Sequence, residues 1–295
     1  MTAHRGAFLQ EGRVVTAENS IPAIARARDM GCDMVEIDVR FTADGTAVVI
    51  HDADLDRTVA GSGPIAGQRW ADIKDLPLVH PKTRAPLGVR LPVLEEAFAA
   101  LDGRMMINVE LKTGIDAIPE VARIARAAGV SDLVTMKTNM RAPGAYDRLL
   151  DKIGEAPGPV DFIPVVIDSL DGLEGFEAVC DLLVPHCVEC VVDYPFGDPG
   201  INNLSRRGFT LDGGPLFSIP ARRRAAEGNI RLFINTLYVS PVHGNYQWNG
   251  GRSCDLALVA PDSVYSFWIA HGATMLQTDM PDYLLGWLRE AGFRP

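Results

Sequence analysis

Gly31 to Thr58, GCDMVEIDVRFTADGTAVVIHDADLDRT, is the stretch that decides how the chain is read. In Met34-Val-Glu-Ile-Asp-Val39 successive side chains alternate, so Glu36 and Asp38 share one face of a strand while Val35, Ile37 and Val39 take the other. Two carboxylates side by side repel each other, and such a pair calls for a cation between its oxygens. Thr42-Ala-Asp-Gly45 is a turn signal, with Asp-Gly suited to the centre of a hairpin. Ala47-Val-Val-Ile-His51 is then a second strand, and so short a connection forces it to return antiparallel. With Asp44 and Gly45 as a two-residue turn, Ala43 faces Thr46 and Asp38 falls opposite His51. The hairpin is therefore expected to gather two carboxylates and an imidazole on one face. The rival is a half-buried hairpin with solvated acids and an incidental histidine.

Composition bounds the rest. A chain of 295 residues with 47% hydrophobic content is long enough for one large core, and a single α/β barrel fits that length. No apolar run approaches membrane-spanning length and the first residues are not a signal-peptide pattern, so no stable membrane anchoring is expected. Five cysteines, an odd number in a long chain, argue against a disulfide framework and for a reducing, cytoplasmic setting. A net charge of −10 argues against nucleic acid or an anionic membrane surface as the main partner. An anionic substrate would need strong local cations.

Along the chain, Ala3-His4-Arg5-Gly6 ends an unusually short first strand, and Ile21 to Met30 reads as a helix capped by Asn19 or Ser20, with capping the favoured role for Asn19. Residues 53–90, rich in Gly, Pro and charge, read as an insertion over one barrel end. From Leu91 helices and strands alternate, with strands expected at Met105–Leu111, Leu133–Lys137, Phe162–Ile167, Glu189–Asp193, Arg231–Leu237 and Met275–Thr278. With the His4 and Glu36 strands this gives the eight β–α units of a TIM (β/α)8 barrel, α/β in class, carrying a small insertion after the hairpin that follows strand 2. Residues 1–295 are expected to form this single domain, with 53–90 inserted in it. Chemistry in such a barrel sits where strands pass into loops, and His4, Glu36, Asp38, Glu110 and Lys112 all fall there.

Asn108-Val-Glu-Leu-Lys112 repeats the pattern of the Glu36 strand. Glu36, Asp38 and Glu110 would form an oxygen-only cage for a hard divalent ion, with Lys112 and Arg5 supplying fixed positive charge to an anionic oxygen. The rival is an internal salt-bridge cluster of Glu110 with Lys112 and Arg5. His4 and His51 suit proton transfer near neutral pH, one taking a proton and the other giving it. Cys187-Val-Glu-Cys190, with no second pair, reads as buried thiol rather than zinc site. Residues 240–255 form a long loop in which Tyr246 and Trp248 are candidates for a pocket wall against substrate.

Together His4-Arg5-Gly6, Glu18-Asn19, Glu36-Ile-Asp38, His51-Asp52, Leu55-Asp-Arg57-Thr58, Glu110-Leu-Lys112 and Thr278-Asp279 resemble the glycerophosphodiester phosphodiesterase family. The resemblance implies hydrolysis of a small-molecule glycerophosphodiester to glycerol phosphate and an alcohol. It implies His4 and His51 as the acid–base pair, Glu36, Asp38 and Glu110 as ligands of Mg2+ or Ca2+, and Arg5 and Lys112 as phosphate ligands. A lyase releasing a cyclic phosphate, or a non-catalytic phosphodiester-binding barrel, are the alternatives. The chain departs from the family pattern in a longer loop between Gly6 and Glu18, a clipped first strand, and Met136-Lys137 where many members carry serine.

Overall fold

The structure, a computed structural model, describes residues 1–140, 145–192, 210–238 and 249–295. The chain divides into two compact units, one of Thr2–Phe162 with Met280–Pro295 and one of Ile163–Asp279 with Met1.

The first unit holds β1 (Thr2–Ala3), α1 (Ile21–Met30), β2 (Met34–Phe41), β3 (Ala47–Val49), α2 (Leu94–Ala100), β4 (Met106–Leu111), α3 (Ile118–Ala127), β5 (Val134–Lys137), α4 (Ala145–Glu155) and β6 (Asp161–Phe162), with a closing helix at Pro281–Glu290. Its parallel strands run in the order β6-β5-β4-β2-β1, and β3 joins β2 antiparallel. A strand has only two edges. One edge of β2 is taken by β4 from Met34 to Val39. The other is shared, because β1 stops at Ala3 opposite Val35 while β3 pairs from Val39 to Phe41. The clipped first strand is what leaves room for the hairpin return.

The hairpin register differs from the one the sequence suggests. Val39 pairs with Val49 and Phe41 with Ala47, so Asp38 lies opposite Ile50, whose N–H donates to Asp38 O at 2.9 Å, and not opposite His51. The cause is a three-residue loop. Thr42 N donates to Thr46 O at 3.0 Å, Gly45 takes φ +80°, and Thr42 Oγ1 accepts from Thr46 N while bonding Asp44 Oδ1 at 2.6 Å. A glycine in the left-handed region after a turn is the ordinary three-residue solution, and it shifts every pair by one. His51 therefore comes from the bend beyond β3.

Val48 and Ile50 point away from the site into a cluster with Ala17, Leu55, Val59, Ile65, Ile73, Leu78 and Leu91. The segment 53–90 thus buries the back of β3 and fixes the bend that carries His51. It holds a short helix at Trp70–Ile73, within the Trp70–Leu76 stretch that suggests one, and an antiparallel hairpin of Pro77–Val79 with Pro86–Arg90 that the sequence reading did not foresee. Nor did it foresee the small hairpin of Leu9–Gln10 with Arg13–Val14 in the loop before Glu18.

In the second unit β7 (Val165–Ile167), α5 (Gly172–Leu183), β8 (Cys187–Val191), α6 (Ile219–Glu227), β9 (Arg231–Thr236), α7 (Pro261–Ala270) and β10 (Met275–Thr278) alternate, and the strands pair in parallel in the order β7-β8-β9-β10. The single strand expected at Phe162–Ile167 is two, β6 and β7, interrupted at Ile163-Pro164; Pro164 has no N–H to give to a ladder. A buried polar chain crosses three strands, with Gln277 Nε2 donating to Asn235 Oδ1 and Asn235 Nδ2 to Glu189 Oε1, both at 2.8 Å. Cys187 and Cys190 are buried thiols, as their single pair suggested. No helix among the described residues is long and apolar enough to cross a membrane.

Gly6 couples β1 to α1. It adopts φ +84°, and a Cβ there would sit 2.7 Å from Ala23 Cβ and 2.8 Å from Ala23 C. Gly6→Ala combines left-handed strain with overpacking and is expected to lower stability by about 2 kcal/mol or more, read as a fall in the urea midpoint at constant slope.

Candidate active site

Glu36 and Asp38 stand on β2 and Glu110 on β4, where the parallel register sets Asp38 beside Glu110. Oxygens of all three carboxylates lie within 4.8 Å of one another. Glu36 and Asp38 are buried. Burial works against ionisation of each, and they respond differently because their cations differ. Lys112 reaches Asp38 Oδ1 at 3.1 Å and also bonds Glu110 Oε1, while Lys137 pairs with Glu110 Oε2 at 3.2 Å. Against burial, Lys137 and Lys112 hold Glu110 down at about 2. Lys112, Arg5 and the Asn19 amide hold Asp38 well below its ordinary value. Glu36 has weaker compensation: burial and the neighbouring Asp38 raise it to about 7.

Both imidazoles border this cluster. His4 follows β1, with Nε2 at 3.9 Å from Glu36 Oε2. His51 Nδ1 bonds Asp52 Oδ1 at 2.7 Å. An Nδ1 proton held by a carboxylate leaves Nε2 as the basic nitrogen of a neutral ring. Burial lowers the His51 pKa, outweighing the opposing pull of Asp52, and so favours the neutral ring. Asp52 is held in turn by Arg57, whose Nε donates to Asp52 Oδ2 at 2.6 Å. The same guanidinium clasps Glu18 through Nη1 at 3.0 Å and Nη2 at 2.7 Å. Glu18 Oε1 also accepts from Arg5 Nη1 at 2.9 Å, and Arg5 Nε pairs with Asp38 Oδ2 at 3.2 Å. One chain of charged contacts thus runs from His51 to Asp38.

The sequence-predicted residues Glu36, Asp38, Glu110, Lys112, Arg5, His4 and His51 occur in this one region. Tyr246 and Trp248 lie outside the described residues. The expected salt-bridge rival is met in part: Lys112 pairs with Glu110, but Arg5 pairs with Glu18 and Asp38. Asn19 is not the helix cap. Ser20 caps α1 by accepting from Ala23 N, whereas Asn19, at φ +55°, grips Asp38 twice, donating from Nδ2 to Oδ2 at 2.8 Å and accepting at Oδ1 from Asp38 N at 3.1 Å. Asp52 and Arg57 were visible as residues but not as parts of the site, since nothing in their spacing says that Glu18 is the third member. Lys137 was missed as a site residue. Its position beside Glu110 in the β4–β5 register was the available signal.

The donor set fits a hard divalent cation. It is made only of carboxylate oxygens, and Glu36 Oε1 is buried with no hydrogen bond.

Parallel strands alternating with helices, and a charged cluster at the strand ends, are the features of the α/β (β/α)8 class. Residues 4–142 match the model of the glycerophosphoryl diester phosphodiesterase family. The chain is 38% identical over 105 residues to a glycerophosphodiester phosphodiesterase of Caldanaerobacter subterraneus, covering 35% of this chain and 43% of that protein. It is 34% identical over 119 residues to one of Bacillus subtilis, covering 38% and 39%. The matched stretch thus spans less than half the length of these relatives. Among solved structures, a glycerophosphodiester phosphodiesterase from Agrobacterium tumefaciens is alike over 96% of both chains, at a TM-score of 0.63 and 20% identity. An Oleispira antarctica phosphodiesterase, solved with the product sn-glycerol-3-phosphate, covers 98% of this chain and 96% of its own at a TM-score of 0.63 and 18% identity. These likenesses show the fold.

Glu18 ties the two arginines together. Against burial, Arg5 and Arg57 lower its pKa from 4.5 to about 2. A depressed carboxylate stabilises the folded state above its unfolded pKa, and that contribution is lost as pH falls through the folded value. Glu18→Gln is expected to cost about 2 kcal/mol at pH 7. Urea unfolding should show its deficit against wild type shrinking between pH 4.5 and pH 2.

Proposed function

We propose that the chain is a divalent-cation-dependent phosphodiesterase that hydrolyses glycerophosphodiesters to glycerol phosphate and an alcohol. The observation that carries this reading is the convergence of His4, His51, Arg5 and Lys112 on three carboxylates whose oxygens lie within 4.8 Å. The family match over residues 4–142 supports it, as do relatives bearing that activity in their names.

In this reading Glu36, Asp38 and Glu110 hold Mg2+ or Ca2+, which when bound supplies positive charge to a phosphoryl oxygen. Arg5 and Lys112 bind the phosphate and fix its orientation. His51 Nε2 takes a proton from the attacking oxygen, a substrate hydroxyl or water, and the Asp52–Arg57 pair holds the ring in the tautomer that allows this. His4 gives a proton to the departing alcohol oxygen. When a substrate hydroxyl attacks first, the cyclic ester is opened by water, so the overall balance is one water consumed for one ester bond cleaved. Tyr246 and Trp248 enter as substrate-binding candidates, on sequence alone. The five cysteines are buried and form no disulfide, which supports a cytoplasmic setting.

His4→Ala and His51→Ala are each expected to lower kcat about a hundred- to ten-thousand-fold while leaving the circular dichroism spectrum unchanged. The assay is coupled detection of glycerol phosphate from a panel of glycerophosphodiesters. Activity within tenfold of wild type in both variants would end the acid–base assignment. Chelation with EDTA should abolish hydrolysis and added Mg2+ or Ca2+ restore it. Phosphorus NMR should show glycerol phosphate, not a persistent cyclic ester, as the final product.

A further inference from the structure

Lys137 is the charged group the proposed reaction leaves unused. It ends β5, and the register of β4 with β5 sets it beside Glu110. Its side chain is 4% exposed, and Nζ lies 3.2 Å from Glu110 Oε2. The other oxygen of that carboxylate, Oε1, is bonded by Lys112. Both oxygens of Glu110 are therefore in contact with ammonium groups. The two lysines are not equivalent. Lys112 also pairs with Asp38 and is the more exposed, at 16%, so it is the better placed to meet a substrate anion. Lys137 is nearly enclosed and acts on the acids, attracting Glu36 as well as Glu110.

A divalent ion that takes Glu110 as a ligand must compete with one of these ammonium groups. It must also sit close to a fixed positive charge in a region of low dielectric, where repulsion is strong. We propose that Lys137 is a resident cation that shares Glu110 with the divalent ion and lowers the affinity of the acid cluster for it, making the ion an exchangeable partner rather than a retained one. This rests on the reading of Glu36, Asp38 and Glu110 as the ion's ligands.

The test is calorimetric titration of the full chain with CaCl2 and with MgCl2, without substrate. Lys137→Met, which keeps the length and removes the charge, is expected to bind at least about tenfold more tightly than wild type. Lys137→Arg, which keeps the charge, should stay within a few-fold. Unchanged or weaker binding in Lys137→Met overturns the proposal and leaves the ion-binding reading standing. Absence of binding in wild type and variants overturns both. Should Lys137→Met fail to fold, Lys137→Gln carries the same expectation. Should neither fold, lysine NMR of the wild-type chain decides. Ca2+ is then expected to shift the Lys137 Nζ resonance, assigned by its loss in Lys137→Arg, and a resonance unmoved at saturating Ca2+ overturns the proposal.

Discussion

Like charges brought together out of water are the constraint on which the site depends. Glu36, Asp38 and Glu110 are crowded at the ends of neighbouring parallel strands, and each would refuse to ionise there unaided. The chain answers with cations assigned to particular carboxylates. Lys112 bridges Asp38 and Glu110, Lys137 takes the second oxygen of Glu110, and Arg5 pairs with Asp38. Arg57 compensates Glu18 and Asp52, two further acids recruited to hold the arginines in place. Glu36 is left with a hydrogen bond from the backbone N–H of Arg5 and with the pull of Lys137 and His4. It is correspondingly the one whose proton leaves last. The arrangement is self-consistent without an ion, and it leaves a buried acid oxygen still short of a donor.

How the histidines reach this cluster is a matter of strand edges. β1 runs along one edge of β2 and ends opposite Val35, while β3 runs against that same edge and ends opposite Val39. The gap between the two ends faces the stretch that contains Glu36 and Asp38. His4 is the next residue beyond β1, and His51 follows Ile50 beyond β3, so two segments approaching from opposite directions deliver imidazoles to the same few ångströms of backbone. Neither histidine is held by a ladder. His51 is fixed by Asp52 and by the apolar cluster under Val48 and Ile50, and its carbonyl accepts from Arg40 Nε at 2.8 Å. The segment 53–90 therefore helps to position His51 although its interior is apolar.

The alternating pattern of Met34–Val39 and the β–α beat after Leu91 made most of the fold legible, because period and turn chemistry are local properties. Ile21–Met30 and Met275–Thr278 were read to the residue. The hairpin register was not, since Asp-Gly serves both two- and three-residue loops, and what separates them is the Thr42 hydroxyl turned back on Asp44 and Thr46. Asn19 was misread for a related reason. A short amide before a helix is a good cap in isolation, and only the approach of β2 converts it into a clamp on Asp38. Lys137 was read only as the end of a strand and as a departure from the family pattern, not as a site residue. Its burial depends on Glu110 from the adjoining strand, a relation visible only once register is known.

The sequence match ends at residue 142, whereas the likeness to solved structures runs over 96% of the chain. The difference has a physical basis. Among the described residues, the charged groups seen to meet the carboxylate cluster lie before residue 142, and there both residue type and spacing are dictated by the need to place particular atoms against an anion. A lysine replaced by leucine at such a point loses the interaction altogether. In Ile163–Asp279 the strands are built largely from Val, Ile, Cys and Phe, packed on their parallel neighbours. Such positions accept other apolar side chains of similar volume at small cost, so the same backbone survives while its letters change. Recognition by sequence follows the chemistry, recognition by shape follows the packing, and in this chain the two part company where the charged residues of the site end.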